Sequence, residues 1–225
     1  MLSQLPTPFE RSVISEILEY YGFHSEIQYF NIRNVLEDKY NISHALLSDL
    51  QAQTERVNSI QFRVQTLHLA DTTKHIIYEP TYHFNKYRLI SLRADVYQDF
   101  KAFDVQKFRN YCRTKEGEAL KSGLSANIWG LKEAEALFGA AEDAGYFGGN
   151  GSNGWKYIAF TNYLTDLHFK NTKTADLYRF SPYDTLLVNG KLSTLQQLLK
   201  TGGEVVRLAV LKHILRRLNI PIPEL

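Results

Sequence analysis

The chain has 225 residues, 44% hydrophobic and 22% charged, with a net charge of +2, which is the profile of a globular protein and excludes a disordered one. Its apolar runs, such as Leu89–Ile90 and Leu186–Val188, are only a few residues and fall far short of the ~20 that a membrane span needs, so no membrane partner is expected. A single cysteine, Cys112, excludes an internal disulfide and a cysteine-built zinc site.

Charge is unevenly spread. Residues 1–50 carry seven acids against three bases, and the remainder is correspondingly basic, a pattern that suits an anionic partner or a charge-complementary homodimer. Met1–Phe9 lacks a basic segment followed by an apolar stretch, so a cytoplasmic location is expected.

Along the chain, Val13, Ile14, Ile17, Leu18 and Tyr21 recur at helical spacing and predict a helix over 8–21, stopped by Gly22. Ile32, Val35 and Leu36 suggest a second short helix. Asn41 or Ser43 caps a third, burying Ala45, Leu46, Leu47 and Leu50. The period then changes to two. Ile60, Phe62, Val64 and Thr66 alternate with Gln61, Arg63 and Gln65, the mark of a strand with one wet face. His75–Glu79 and Lys86–Arg93 read as two further strands, completing an antiparallel meander over about 57–95.

Helical spacing returns over Val96–Cys112, with a break near Phe103–Asp104, and one further turn follows over Glu116–Lys121. Leu131–Ala144 reads as a strong helix with Gly145 at its C-terminal end. Tyr146–Phe147 and Trp155–Thr161 then read as short strands joined by the glycine loop Gly148–Gly154. Asp176–Phe180 and Asp184–Val188 are two more strands. Asn189–Gly190 signals a tight turn, Ser193 or Thr194 caps a helix to Lys200, and Glu204–Leu218 is the last helix. The fold class is α+β, with a helical N-terminal part and a central antiparallel sheet. The expected division is 1–95 and 96–225, or one domain throughout.

The order of helix, Ala-Gly-Tyr-Phe, glycine loop and strand over 131–161 is similar to the second half of a winged-helix domain. That resemblance implies a helix in the major groove and a hairpin along the backbone. The segment 101–123 would support it, and carries Lys101, Lys107, Arg109, Arg113, Lys115 and Lys121 against Asp104, Glu116 and Glu118. The presumed reading helix is acidic, however, with Glu133, Glu135, Glu142 and Asp143 against Lys132. Phosphates would repel it within a Debye length of about 8–10 Å. Contacts are therefore expected from Arg109, Arg113, Lys121, Trp155 and Lys156 instead.

Two further basic clusters stand out. Lys86, Arg88 and Arg93 interleave with Tyr82, Phe84 and Tyr87, a composition that suits stacking on unpaired bases. The last helix carries Lys212, His213, Arg216 and Arg217 toward its end, where cations also complement the helix dipole.

Chemistry has weaker signals. Lys156 or His213 could attack or deprotonate a sugar–base substrate. His68, Asp71 and His75 could gather at a turn around a metal, against the simpler reading of a polar loop, and no metal or cofactor is assigned. Asp166, His168, Lys170 and Asp176 resemble the phospholipase-D-like His-x-Lys…Asp pattern, but the acid falls one residue late and no Gly-Ser-x-x-Asn follows. The Glu-x-Lys form of the acid-x-Lys of metal-dependent nucleases occurs once, at Glu37-Asp38-Lys39, in a helical context. The glycine loop lacks the Lys-Ser ending of a phosphate-binding P-loop. Cys112 as a nucleophile competes with Cys112 as a small buried helix residue.

Together these readings point to a DNA-acting protein that binds through basic and aromatic clusters. The alternatives are a DNA-processing enzyme (a restriction-type nuclease or a base-excising glycosylase) and a protein-interaction or assembly factor without DNA affinity.

Overall fold

The structure, a computed structural model, describes residues 9–32, 42–98, 100, 103–172 and 176–222. Val35, Leu36, the Glu37-Asp38-Lys39 triplet and Lys101 lie outside the described residues. The fold is α+β with a central, mostly antiparallel sheet and helices before and after it. No helix among the described residues is long and apolar enough to cross a membrane.

Two compact units divide the chain. Among the described residues, unit 1 draws on 29–64 and 81–172, and unit 2 on 9–28, 65–80 and 176–222. Neither is one continuous stretch, and the division falls within two strands, β1 (Ser25–Ile32) and β2 (Phe62–Leu69).

Unit 2 has an apolar core built around α1 (Phe9–Tyr20), β3 (Lys74–Tyr78), β4 (Asp176–Phe180), β5 (Thr185–Val188), β6 (Lys191–Thr194), α8 (Leu195–Thr201) and α9 (Glu204–Arg217). Ile14, Ile17 and Leu18 of α1 bury the face that their spacing predicts. The sheet runs β1-β2-β3-β4. β2 and β3 pair antiparallel, with His68 opposite His75. β3 and β4 pair parallel, from Lys74 opposite Asp176 to Tyr78 opposite Phe180, so the intervening chain is a crossover and not a hairpin. Asn189 and Gly190 both take positive φ, 51° and 74°, as a two-residue hairpin turn with the strands' twist requires. Thr194 caps α8 and forms a capping box with Gln197.

Unit 1 is mostly helical: α2 (Ile42–Asp49), α3 (Lys86–Ser91), α4 (Val105–Thr114), α5 (Glu116–Ser125), the single turn α6 (Glu135–Phe138) and the long α7 (Asn153–Thr172). α7 is buried on nearly every side from Asn153 to Asp166 and packs against α2, α3 and α6. Its apolar and aromatic side chains include Trp155, Phe160 and Tyr163.

Two expected strands of unit 1 are helices. Lys86–Arg93 begins α3, because the Asn85 side chain accepts from the backbone N–H of Tyr87 and Arg88 and caps a helix there. Trp155–Thr161 lies inside α7. A helix buried all round shows a continuous apolar run, which periodicity cannot tell from a buried strand.

The winged-helix-like unit is corrected accordingly. Its expected helix over 131–144 ends at Gly139, φ +71°, after the single turn of α6. The carbonyls that would continue it are taken by asparagine amides. Asn150 Nδ2 donates to the carbonyls of Phe138 (2.6 Å) and Ala140 (2.5 Å), and Asn153 Nδ2 to that of Gly139 (2.8 Å). The segment 139–152 is thus an irregular loop pinned to the start of α7, and no hairpin wing follows it.

Candidate functional site around Lys156

Helix α7 opens on Ser152, whose hydroxyl accepts from Trp155 N–H (3.0 Å) and donates to the Trp129 carbonyl (2.6 Å). Lys156 therefore sits in the first turn. Helical side chains lean toward the N-terminus, which carries its ammonium back over the loop. There Nζ donates to Asn150 Oδ1 at 2.8 Å and Gln51 Oε1 at 3.1 Å. The Asn150 amide has one possible orientation, since its Nδ2 already serves two carbonyls. Its backbone N–H is fixed by Glu142 Oε1 at 3.0 Å.

Lys156 is 1% exposed and forms no ion pair among the described residues. Its Nζ lies 5.7 Å from the centroid of the Tyr87 ring. Lys86 shares that ring at 4.9 Å, lies over Phe147 at 4.6 Å, and donates its Nζ to the Phe147 carbonyl at 3.1 Å. Two ammonium groups thus face one phenol ring, and each is held by neutral oxygens alone. Burial, and then the charge of Lys86, pushes the Lys156 amine down to about 8. The helix start adds to this, since its positive end disfavours a cation. Burial raises the Tyr87 phenol, so its hydroxyl stays protonated; it accepts from Ser152 N–H at 3.3 Å.

Two glycines, one in the loop and one in the first turn of α7, make this close packing possible. Gly151 has φ +61°, and a Cβ there would collide with the Tyr87 hydroxyl. At Gly154 a Cβ would collide with the Ile128 carbonyl.

Other residues marked in the sequence have different surroundings. Trp155 is fully buried against Trp129 and Phe147, and Tyr82, Phe84 and Tyr87 are buried too, so none offers a face for a base. Arg88 is buried, bonding to Tyr97 Oη (3.1 Å) and pairing with Asp166 at 3.5 Å. Arg109 is half-buried, its guanidinium clasping the Leu92 carbonyl through Nε (3.1 Å) and Nη2 (2.7 Å). Arg93, Arg113 and Lys121 are exposed. Cys112 is buried in α4.

In unit 2, Arg217 pairs with Asp184 at 3.2 Å over the Phe180 ring, and the half-buried His213 ring packs edge-on against Phe180. Lys212 is half-buried and Arg216 exposed on the same helix. The His68 and His75 rings stack at 4.6 Å. Their nitrogens meet the Gln28 side chain, the Thr72 carbonyl and the Thr66 hydroxyl, which leaves little to offer a metal. Among the described residues, no group of three His, Cys, Asp or Glu is placed to hold one. The His-x-Lys pattern also disperses: His168 packs against Phe169, Lys170 donates to the Val96 carbonyl, and Asp176 pairs with Lys74.

Sequence spacing could not supply the partners of Lys156, because Gln51 lies 105 residues away. A local signal did exist. Asn150, Ser152 and Asn153 are all helix-start residues, and weighing them above the apolar run would have placed a helix at 153.

Fold and site together define an α+β protein whose helical unit buries a lysine against neutral amides. Residues 45–201 match the model of a family of unknown function (DUF7255), and the chain belongs to that family. No curated protein matches, and no solved structure matches.

Proposed function

We propose that the protein binds nucleic acid through phosphate contacts on unit 1. The observation that carries this reading is the Arg109 clasp on Leu92, which brings Arg93 beside α4, with Arg113 one turn beyond. Arg93 and Arg113 are exposed and form no ion pair among the described residues, as is Lys121 on α5. Free guanidinium groups in a row suit phosphates, which they bind as planar forks. The buried aromatics redirect the expectation from base stacking to backbone contact. Cytoplasmic location and homodimer formation belong to the same proposal, and sedimentation with and without DNA tests the latter.

The test is the affinity for duplex and single-stranded DNA across a salt series. Each phosphate contact contributes a slope of about −0.9 in log K against log salt for duplex DNA, so Arg93→Gln with Arg113→Gln should flatten it by roughly 2. Absence of binding at low salt would sink the proposal and favour the interaction-factor reading. A denaturing gel of the same samples addresses the DNA-processing enzyme, a second reading that the lowered amine of Lys156 supports.

A further inference from the structure

We infer that Lys156 is an amine nucleophile for an aldehyde or ketone bearing a phosphate or carboxylate, with the Lys86 ammonium receiving the anionic group. This goes beyond the cationic strip and does not depend on it.

The hydrogen-bond inventory carries the argument. A neutral amine has two N–H donors and one lone pair. Asn150 Oδ1 and Gln51 Oε1 take two donors, and no third polar partner stands at Nζ among the described residues. In the neutral form both N–H groups are satisfied and the lone pair is free. In the charged form one N–H is without an oxygen, and no carboxylate balances the charge. The site therefore fits the nucleophilic form of the side chain better than its resting cation. The lowered amine agrees with this geometry.

Lys86 supplies the second half. Its ammonium shares the Tyr87 ring with Lys156 and is bonded only to the Phe147 carbonyl, again without a carboxylate. A carbonyl compound with an anionic group would complete both: carbon to Lys156, anion to Lys86. The fully buried arginines Arg88 and Arg179 each have an acid, Asp166 and Glu79, which Lys156 lacks.

Gln51, which covers Nζ at 3.1 Å, is an exposed residue just after α2, so the inference places access to the amine on its side. The step balances without a redox partner. The Nζ lone pair forms a bond to the carbonyl carbon as the C=O π pair moves to oxygen. That oxygen takes up protons, two leave the nitrogen, and water departs as the C=N bond forms.

The test uses the full chain, sodium cyanoborohydride and three aldehydes: glyceraldehyde 3-phosphate, glyceraldehyde, and a DNA duplex with an abasic site. Reduced adducts are mapped by peptide mass spectrometry. The expected result is an adduct concentrated on Lys156, forming at a rate that rises with pH through about 8 rather than toward 10.5. The phosphorylated aldehyde should react about tenfold faster than the neutral one, the scale of one hydrogen bond to a charged group. Lys86→Met should bring that ratio to about one, a comparison that is insensitive to any change in the Lys156 amine itself. Gln51→Ala should speed labelling. Labelling by small aldehydes alone assigns a small anionic carbonyl compound, and labelling by abasic DNA assigns a nucleic-acid aldehyde. Adducts spread over exposed lysines, no trapping with any of the three, or an unchanged phosphate preference in Lys86→Met would overturn the inference. DNA binding by the arginines is read separately, from the salt series.

Discussion

Arg179 in unit 2 and Lys156 in unit 1 are both buried almost completely, and they are surrounded in opposite ways, while Arg88 of unit 1 keeps an acid as Arg179 does. In unit 2, Arg179 of β4 donates Nη1 to Glu79 Oε1 at 2.9 Å, and both side chains are fully buried. In unit 1, Lys156 of α7 meets two amide oxygens and no acid. The difference follows from the side chains. A guanidinium cannot shed its proton, so burying it requires a fixed negative partner. An ammonium can shed its proton, so it can be buried among neutral dipoles at the cost of a lowered pKa. A buried arginine with its acid is therefore read as structure, and a buried lysine without one as candidate chemistry.

The largest expected effect breaks the unit 2 side of this contrast. Glu79→Ala removes the carboxylate at 2.9 Å from the buried Arg179, which should cost about 3–5 kcal/mol in urea unfolding. Replacing both partners by methionine should recover most of that loss, because apolar groups of similar volume need no partner. A loss under about 1 kcal/mol in the single variant would show that Arg179 reaches water or another acid.

The same contrast explains what could be read in advance. In unit 2, α1, β3, β4, the Asn189–Gly190 turn and the Thr194 cap all follow from local patterns: one apolar face, turn chemistry, capping side chains. In unit 1, α3 and α7 hide the period that identifies a helix, since α7 is buried from Asn153 to Asp166. Their starts depend on single residues, Asn85 and Ser152, against a stronger apolar signal. The parallel pairing of β3 with β4 joins residues about a hundred apart and has no local mark. Lys156 was visible as a reactive residue type, but its environment was not. Gln51, Tyr87 and Asn150 reach it from three separate segments.

A smaller effect is expected at the loop that holds the lysine. Gly151→Ala places a side chain at φ +61° and drives its Cβ into the Tyr87 hydroxyl. The strain and the lost Ser152–Tyr87 bond should cost about 1–3 kcal/mol. Asn150 should also lose its grip on Lys156, so a fall in stability should come with altered pH dependence of lysine labelling. A stability loss without that change would mean that the loop supports the fold and not the amine.

The smallest change in stability should come from Lys156→Met, and its sign decides the comparison. Methionine fills a similar volume and removes an uncompensated ammonium, so at pH 7 the variant should lie within about 1 kcal/mol of the parent, or above it. The dependence on pH is sharper. In the folded chain the amine sits at about 8, against 10.5 for an ordinary lysine. Between those values the unfolded chain binds more protons, so this group makes the parent more stable as pH rises from about 8 toward 10.5. Below about 8 both states are protonated and its contribution is flat. The methionine variant lacks this rise, so any advantage it holds should be greatest at pH 6–7 and shrink above pH 8, read from urea midpoints in a pH series. A loss of several kcal/mol at neutral pH, as at Glu79, would instead make Lys156 a structural cation like Arg179, and the two sites would no longer differ in how they bury charge.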